Sequence, residues 1–466
     1  MSGVHFVLQD GTKRETPRER RAIRRHVMLG KNRGKMKDPK PPVLKGCAIF
    51  RQGDMSILQT AQPPVPQRVG SDLSLVTFAD TIEPQVMYET LQFCLTSEEK
   101  VFGALAPLIN FEASGMLLQC REALASDTLH VNVMVFGSQS YMNHVFERST
   151  LQSRHGSGDI LRNHFGKALQ LLHERMGHVQ SRPGEVCDIT LMSVVSLAIN
   201  ALVSRDFANA RNHVVGLRRL VAMRCGKDGR FRGRTKQMIE ILRCDLSISL
   251  ATGLPPLLPS ANFCLPVQQI CTSAANKMSL ANRSLPMDAE LLQIWHVLSD
   301  FSCSVDKAAA TRVKILDQLL LETITKAAVR LLDISYHATS VDELIRLAMI
   351  AFCVNTILAW SKLRLPLDAF ELQFQQPLPY FVLTYPAHLV LWYLVMCGIC
   401  LSELNGEPYE GLRQCLRGTM GKLQITDWLG ARSVLKDLLW IDVLCAPSAQ
   451  QLIEGIFAKQ TTSNPV

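Results

Sequence analysis

Along most of this chain apolar residues recur every three or four positions, the spacing that lines one face of an α-helix. The clearest stretch is 204–226. Phe207, Ala210, Val214, Leu217 and Val221 form its apolar stripe, and Arg211, Arg218 and Arg219 lie off it as a solvated basic edge. Asp206 suits the N-cap, and Gly226 suits the left-handed turn that ends a helix. Residues 188–202 are apolar at 191, 194, 195, 198 and 202, and pair with that helix across a turn at 203–206. Helical spacing also predicts helices at 156–180, where Ile160, Phe165, Leu169 and Leu172 recur, and at 236–252, 288–303, 311–334, 341–360, 428–445 and 448–457. Thr96-Ser97-Glu98-Glu99 has the form of a capping box at a helix start.

Only 129–136 alternates in the manner of a strand, and 253–287 reads as a long exposed loop. The run 387–401 is strongly apolar but lies between Pro386 and Glu403. A membrane span needs about 20 such residues, so a buried central helix is expected there. The expected fold class is all-α, a multi-helical bundle or array of packed helix hairpins over residues 80–466.

Composition adds an asymmetry. The chain has 466 residues, 47% hydrophobic and 20% charged, enough for a sizeable core. Its formal net charge of +9 is carried entirely by residues 1–45, and the remainder is balanced. A local block of charge acts on a polyanion or a carrier, whereas a dispersed one mainly confers solubility. Within this arm, Thr16-Pro17 is a helix start, and 18–29 can be helical with only Ile23 and Val27 as an apolar edge. Lys13-Arg14, followed by Arg20-Arg21 and Arg24-Arg25, has the layout of a two-part nuclear localisation signal, with Arg18, Lys31 and Arg33 adding cations beside it. The alternative is a solvated basic tail. Residues 46–79, with Pro63-Pro64-Val65-Pro66 in the middle, read as a flexible linker.

No catalytic or metal-binding constellation assembles along the sequence. The 14 cysteines are scattered, and Cys94, Cys187, Cys353 and Cys415 sit in apolar runs. The N-terminus lacks the apolar core of a secretory signal, so buried free thiols are expected rather than disulfides. Cys397 and Cys400 form a C-x-x-C pair without the further ligands of a zinc site. His173-Glu174 with His178 misses the zinc-protease spacing by one residue, which rotates the second histidine off the first one's face. Ser97 and Lys100 have nucleophile–lysine spacing within a cap-like stretch. No phosphate-binding glycine loop or nucleophile elbow occurs. No enzyme activity, metal or cofactor is expected, and Asp245 is expected to be a satisfied structural carboxylate.

Three stretches in chain order resemble a known family. His213, Gly216-Leu217, Val221 and Arg224-Cys225-Gly226 are similar to the H-x-x-G-L-x-x-[ML]-V-x-x-R-G-G signature of the fungal-specific transcription factor domain, with Cys225 where the family has Gly. Asp245 and the following Thr252-Gly253-Leu254-Pro255-Pro256-Leu257-Leu258-Pro259 resemble its helix and T-G-x-x-P-x-[FL]-P segment. Leu439-Trp440-Ile441 resembles its C-terminal L-L-W helix. In the arm, Arg21, Ile23-Arg24, His26 and Val27-Met28 are similar to a block seen in family members without a zinc cluster. Cys264 and Cys271 keep one internal spacing of that cluster, but its other cysteines and basic residues are missing.

The resemblance implies a nuclear transcription regulator of the kind that controls secondary-metabolite gene clusters in filamentous fungi. It would lack the zinc module that reads bases. The arm would then engage a nuclear import carrier and bind DNA weakly and salt-sensitively, and a DNA-binding partner protein would supply sequence choice. The other reading is a helical protein–protein interaction scaffold without DNA contact.

Overall fold

The structure is a computed structural model that describes residues 78–110, 122–146, 157–181, 186–225, 229–231, 235–258, 287–358, 365–405 and 410–461. All of them belong to one compact unit, Ser71–Val466. The nuclear-signal and nucleic-acid residues Lys13 to Arg33, the linker to residue 77, Gly226, and Cys264 and Cys271 lie outside the described residues.

The described fold is all-α. Its helices are α1 Pro84–Phe102, α2 Thr128–Phe146, α3 Ser157–Ser181, α4 Asp188–Val203, α5 Phe207–Arg224, α6 Thr235–Thr252, α7 Ala289–Thr311, α8 Asp317–Asp333, α9 Val341–Cys353, α10 Asp368–Gln375, α11 Leu378–Thr384, α12 Ala387–Asn405, α13 Glu410–Lys422, α14 Trp428–Lys436 and α15 Asp442–Thr461. A 3-10 turn, Gly103–Leu108, follows α1, and a π-helical turn, Val354–Leu358, follows α9. The described extended structure is one parallel pair of two-residue strands, β1 Ile109–Asn110 and β2 Ile315–Leu316, and an isolated bridge between Cys225 and Phe231.

Successive hairpins stack into a continuous array. α2 pairs with α3, α4 with α5, and α4 also lies against α2 and α6. From α6 the packing continues to α8, then α9, then α12, which α13 and α15 cover. Helices in the middle of such an array touch neighbours on every side. Residues 241–250 of α6, 343–353 of α9 and 389–401 of α12 are accordingly buried without a break. Gly398 permits the tightest of these approaches, since a Cβ there would come within 2.9 Å of Leu452 and 3.2 Å of Leu412.

Two buried polar side chains tie neighbouring elements together. Arg346 donates to both carboxylate oxygens of Glu343 at 2.6 Å and to the Leu331 carbonyl at 2.8 Å, joining α9 to α8. Trp392 Nε1 donates to the Leu439 carbonyl at 2.8 Å, and its ring meets Trp295 edge-on at 5.2 Å. The run 387–401 is thus the interior of α12. Among the described residues, no helix is long and apolar enough to cross a membrane.

Several boundaries differ from the sequence expectation. Residues 129–136, read as alternating, belong to α2. Thr96 lies within α1 and back-bonds to the Gln92 carbonyl at 2.8 Å, so the box at 96–99 starts no helix. Helix α1 begins at Pro84, a residue whose missing N–H costs nothing at a first helical position. The single helix expected over 428–445 is two: α14 ends at Lys436, and α15 runs unbroken from Asp442 through the stretch 448–457. Leu439, Trp440 and Ile441 lie in the non-helical link between them, which corrects the expectation of a helix at that motif. Cys187 is exposed at the N-cap of α4 instead of buried in an apolar run, and Leu169 is partly exposed on α3.

Candidate functional site

The three stretches that carry the family resemblance meet the array at different points. On α5, Ala210, Val214, Leu217, Leu220 and Val221 are buried, with Phe207 packed beside them. The stripe faces α4 and α6. Asp206 caps the helix, accepting from the Asn209 backbone N–H at 3.2 Å. The turn before it needs a left-handed residue, and Arg205 supplies it at φ 59° while its guanidinium reaches Asp368 at 2.7 Å.

His213 is half-buried on α5. Burial lowers its pKa, against the opposing charge of Asp206. Gly216 has open space where a Cβ would stand, so close packing does not require glycine there. Arg224 sits in the last turn of α5 and pairs with Asp188 in the first turn of α4. Its guanidinium also lies 5.4 Å from the centroid of the Phe231 ring. The open end of the α4–α5 hairpin is thereby fastened by charge, and both charges complement the helix ends on which they sit.

Asp245 lies in the buried run of α6. Its Oδ2 accepts the backbone N–H groups of Leu257 and Leu258, each at 2.7 Å. Gly253, at φ 72°, reverses the chain after α6 so that the Thr252–Leu258 segment can return to this carboxylate. A Cβ on Gly253 would also crowd Ala369 at 3.1 Å. Burial pushes the Asp245 pKa up to about 6, although the two N–H bonds and the charges of Arg211 and Arg218 oppose the shift. The basic edge of α5 therefore has an electrostatic counterpart inside the array, and Arg211 is itself only half-exposed. The carboxylate acts as a backbone anchor in this arrangement.

Trp440 is buried in the α14–α15 link and donates from Nε1 to Asp442 at 3.2 Å. Arg432 grips the same carboxylate through two nitrogens, and Lys436 lies 3.3 Å away. These cations, Arg432 foremost, hold the Asp442 pKa down to about 2. The structure brings His213, Gly216, Leu217, Val221, Arg224 and Asp245 into the α4–α5–α6 group. Trp440 belongs to the separate α12–α14–α15 region.

The remaining polar clusters have structural geometry. Asn132 is fully buried on α2; its Nδ2 donates to Asp80 at 2.6 Å, and its Oδ1 meets His164 at 2.8 Å. Lys167 pairs with the same Asp80 at 2.6 Å. This ties α3 to α2 and to the chain before α1. Cys397 and Cys400 are buried in α12, where burial drives the Cys397 thiol pKa far up, away from thiolate chemistry. Among the described residues, no three His, Cys, Asp or Glu side chains converge as metal ligands. His173 is exposed on α3.

Sequence reasoning missed a cavity between α2 and α4, whose lining comes from four helices and leaves no signature in any one of them. In comparison with known proteins, no family model, no curated protein and no solved structure matches this chain.

Proposed function

We propose that this chain is a nuclear regulator of transcription. Its helical body would serve as the regulatory and assembly part, and its basic arm would serve import and nonspecific nucleic-acid contact. The observation that carries the reading is the run of three family-like stretches in chain order. Its physical support is that their residues have definite tasks: Leu217 and Val221 fill the α4–α5–α6 core, Arg224 fastens a hairpin, and Asp245 anchors the returning Thr252–Leu258 segment. The charge distribution points the same way, since the whole net charge of +9 falls in residues 1–45.

On this reading, Lys13, Arg14, Arg20, Arg21, Arg24 and Arg25 meet acidic pockets of an import carrier, with Arg18, Lys31 and Arg33 reinforcing them. The same cations neutralise DNA phosphates. Phosphate contacts position a protein without choosing a sequence, so selection at promoters falls to a DNA-binding partner protein. The genes governed are those of a secondary-metabolite cluster. Transcript profiling of a strain that lacks the gene tests this: loss of transcripts from one contiguous cluster is expected, and an unchanged transcriptome would sink it.

A second reading, a helical interaction scaffold, is favoured by large apolar side chains left exposed on α10 and α11: Leu372, Tyr380 and Leu383. Deleting residues 1–45 separates the two, because only the regulator loses nuclear accumulation.

A further inference from the structure

Between α2 and α4 lies a cavity of about 160 Å³, partly open to solvent, with Phe93 of α1 and Glu240 of α6 completing its lining. It exists because the two helices present small residues to each other. Gly137 and Ser140 of α2 and Ser196 of α4 line it, and a Cβ on Gly137 would already stand 3.4 Å from Asn200 Nδ2. Larger residues at these positions would fill the space. The walls that remain, such as Met134, Val195 and Ile199, are apolar. Engineered apolar cavities of about 150 Å³ accept benzene. This one has room for one aromatic ring, with its open side able to take more.

Among the described residues, Glu240 is the only charged group in the lining. One of its carboxylate oxygens accepts from Arg243 Nη1 at 2.8 Å, and the Arg243 side chain is almost wholly buried. That pairing settles the charge of a fitting guest. A ligand cation would sit beside the Arg243 guanidinium that Glu240 already holds, and a ligand anion would face the Glu240 carboxylate at the partly solvated mouth of an apolar cavity, where screening is reduced but not absent. A neutral donor has neither penalty. The other Glu240 oxygen bonds to none of the described residues and can accept from it.

We propose that this cavity is a binding site for a small neutral ring compound that carries one hydroxyl or N–H donor, the ring between α2 and α4 and the donor on Glu240. The proposal does not rest on the reading as a transcription regulator. It is tested on purified protein, so either can fail while the other stands.

The test titrates the full-length protein with 2-naphthol, following the probe's fluorescence and the protein's melting temperature. Three probes serve as comparators: 2-methoxynaphthalene, 2-naphthoate and 2-naphthylmethylammonium. Saturable binding of 2-naphthol at one site is expected. The methoxy compound should bind about tenfold more weakly, the worth of one hydrogen bond to a charged acceptor, and both ions more weakly still. Ser196→Leu should fill the space, abolish binding and leave the melting temperature unchanged or raised. Glu240→Gln, read independently, should narrow the preference for 2-naphthol over its methyl ether. Undiminished binding by Ser196→Leu, equal binding of 2-naphthoate, or no saturable binding of 2-naphthol would overturn the proposal.

Discussion

Arg224 and Asp188 stand 36 positions apart in sequence and close one end of a single hairpin, the last turn of α5 upon the first turn of α4. The Arg224 side chain is mostly buried and also packs near Phe231, so its loss removes packing as well as charge. Arg224→Ala is expected to destabilise the body by about 1–2 kcal/mol, and Asp188→Asn by less. Urea unfolding of both single variants and the double variant should give a coupling of about 1 kcal/mol. Strict additivity would show that the pair carries no energy of its own.

Asp245 makes stability depend on pH in an unusual direction. Its folded pKa of about 6 lies above the ordinary carboxylate value, so the native state binds the proton more tightly than the unfolded chain does. This group's contribution is therefore fully present below pH 4 and is lost as pH rises through 6. Between pH 7 and pH 5 it should add about 1 kcal/mol to native stability. Asp245→Asn should remove that increment while it keeps an acceptor for Leu257 and Leu258. Asp245→Ala should cost about 2–4 kcal/mol at either pH, because both N–H groups lose their partner. Melting curves of the parent and both variants at the two pH values decide the matter.

Leu217 is fully buried at the centre of the α5 stripe. Leu217→Asp removes a large apolar contact, at a cost of about 2–5 kcal/mol, and places an unpaired charge in the core. Domains of ordinary stability have only about 5–15 kcal/mol in hand. Insoluble or unfolded protein is expected. Normal expression with an unchanged melting temperature would mean that α5 does not pack as described.

Changing Lys13, Arg14, Arg20, Arg21, Arg24 and Arg25 together to alanine is expected to leave the full-length protein in the cytoplasm. Microscopy of a fluorescent fusion reads the outcome, and undiminished nuclear signal would remove the carrier site from the proposed function.

The purified chain should bind DNA weakly, with affinity that falls steeply as salt rises, because each neutralised phosphate releases condensed counterions. Removing residues 1–45 should abolish it. In a mobility shift at physiological salt, specific and scrambled duplexes should behave alike. Strong discrimination by the protein alone would reveal a base-reading module in the chain.

Helices with one solvated face were legible in the sequence. The stripe of α5 and the cap at Asp206 fall where the spacing placed them, and so do the expected buried positions of α4, although α2, α5 and α6 cover that helix on several sides. Helices covered on several sides were harder. In α2, residues 129, 131, 133 and 135 are all buried, but so is Asn132, because α1, α3 and α4 surround the helix. Burial on three sides erases the 3.6-residue signal and leaves an accidental alternation. The break after α14 was also hidden, since Leu438, Leu439 and Ile441 are buried in the link and continue the apolar pattern without a helix. The task of Asp245 could be named as structural, but its partners lie 12 and 13 residues downstream, beyond any local pattern. The cavity is a property of four helices together.

The unbroken burial of 241–250 in α6 has a consequence for dissecting the chain. This helix rests on α4 and α5, which precede it, and on α8 and α10, which follow it beyond residue 316. A protease cut or a truncation between residues 258 and 287 would therefore sever a core, not separate two lobes. The upstream fragment would expose the side of α6 that α8 and α10 cover, and the downstream fragment would lose its surface against α6. Neither piece should be soluble as a monomer, whereas the two expressed together should reassociate. The smallest autonomous unit of this protein is therefore nearly the whole of its helical body.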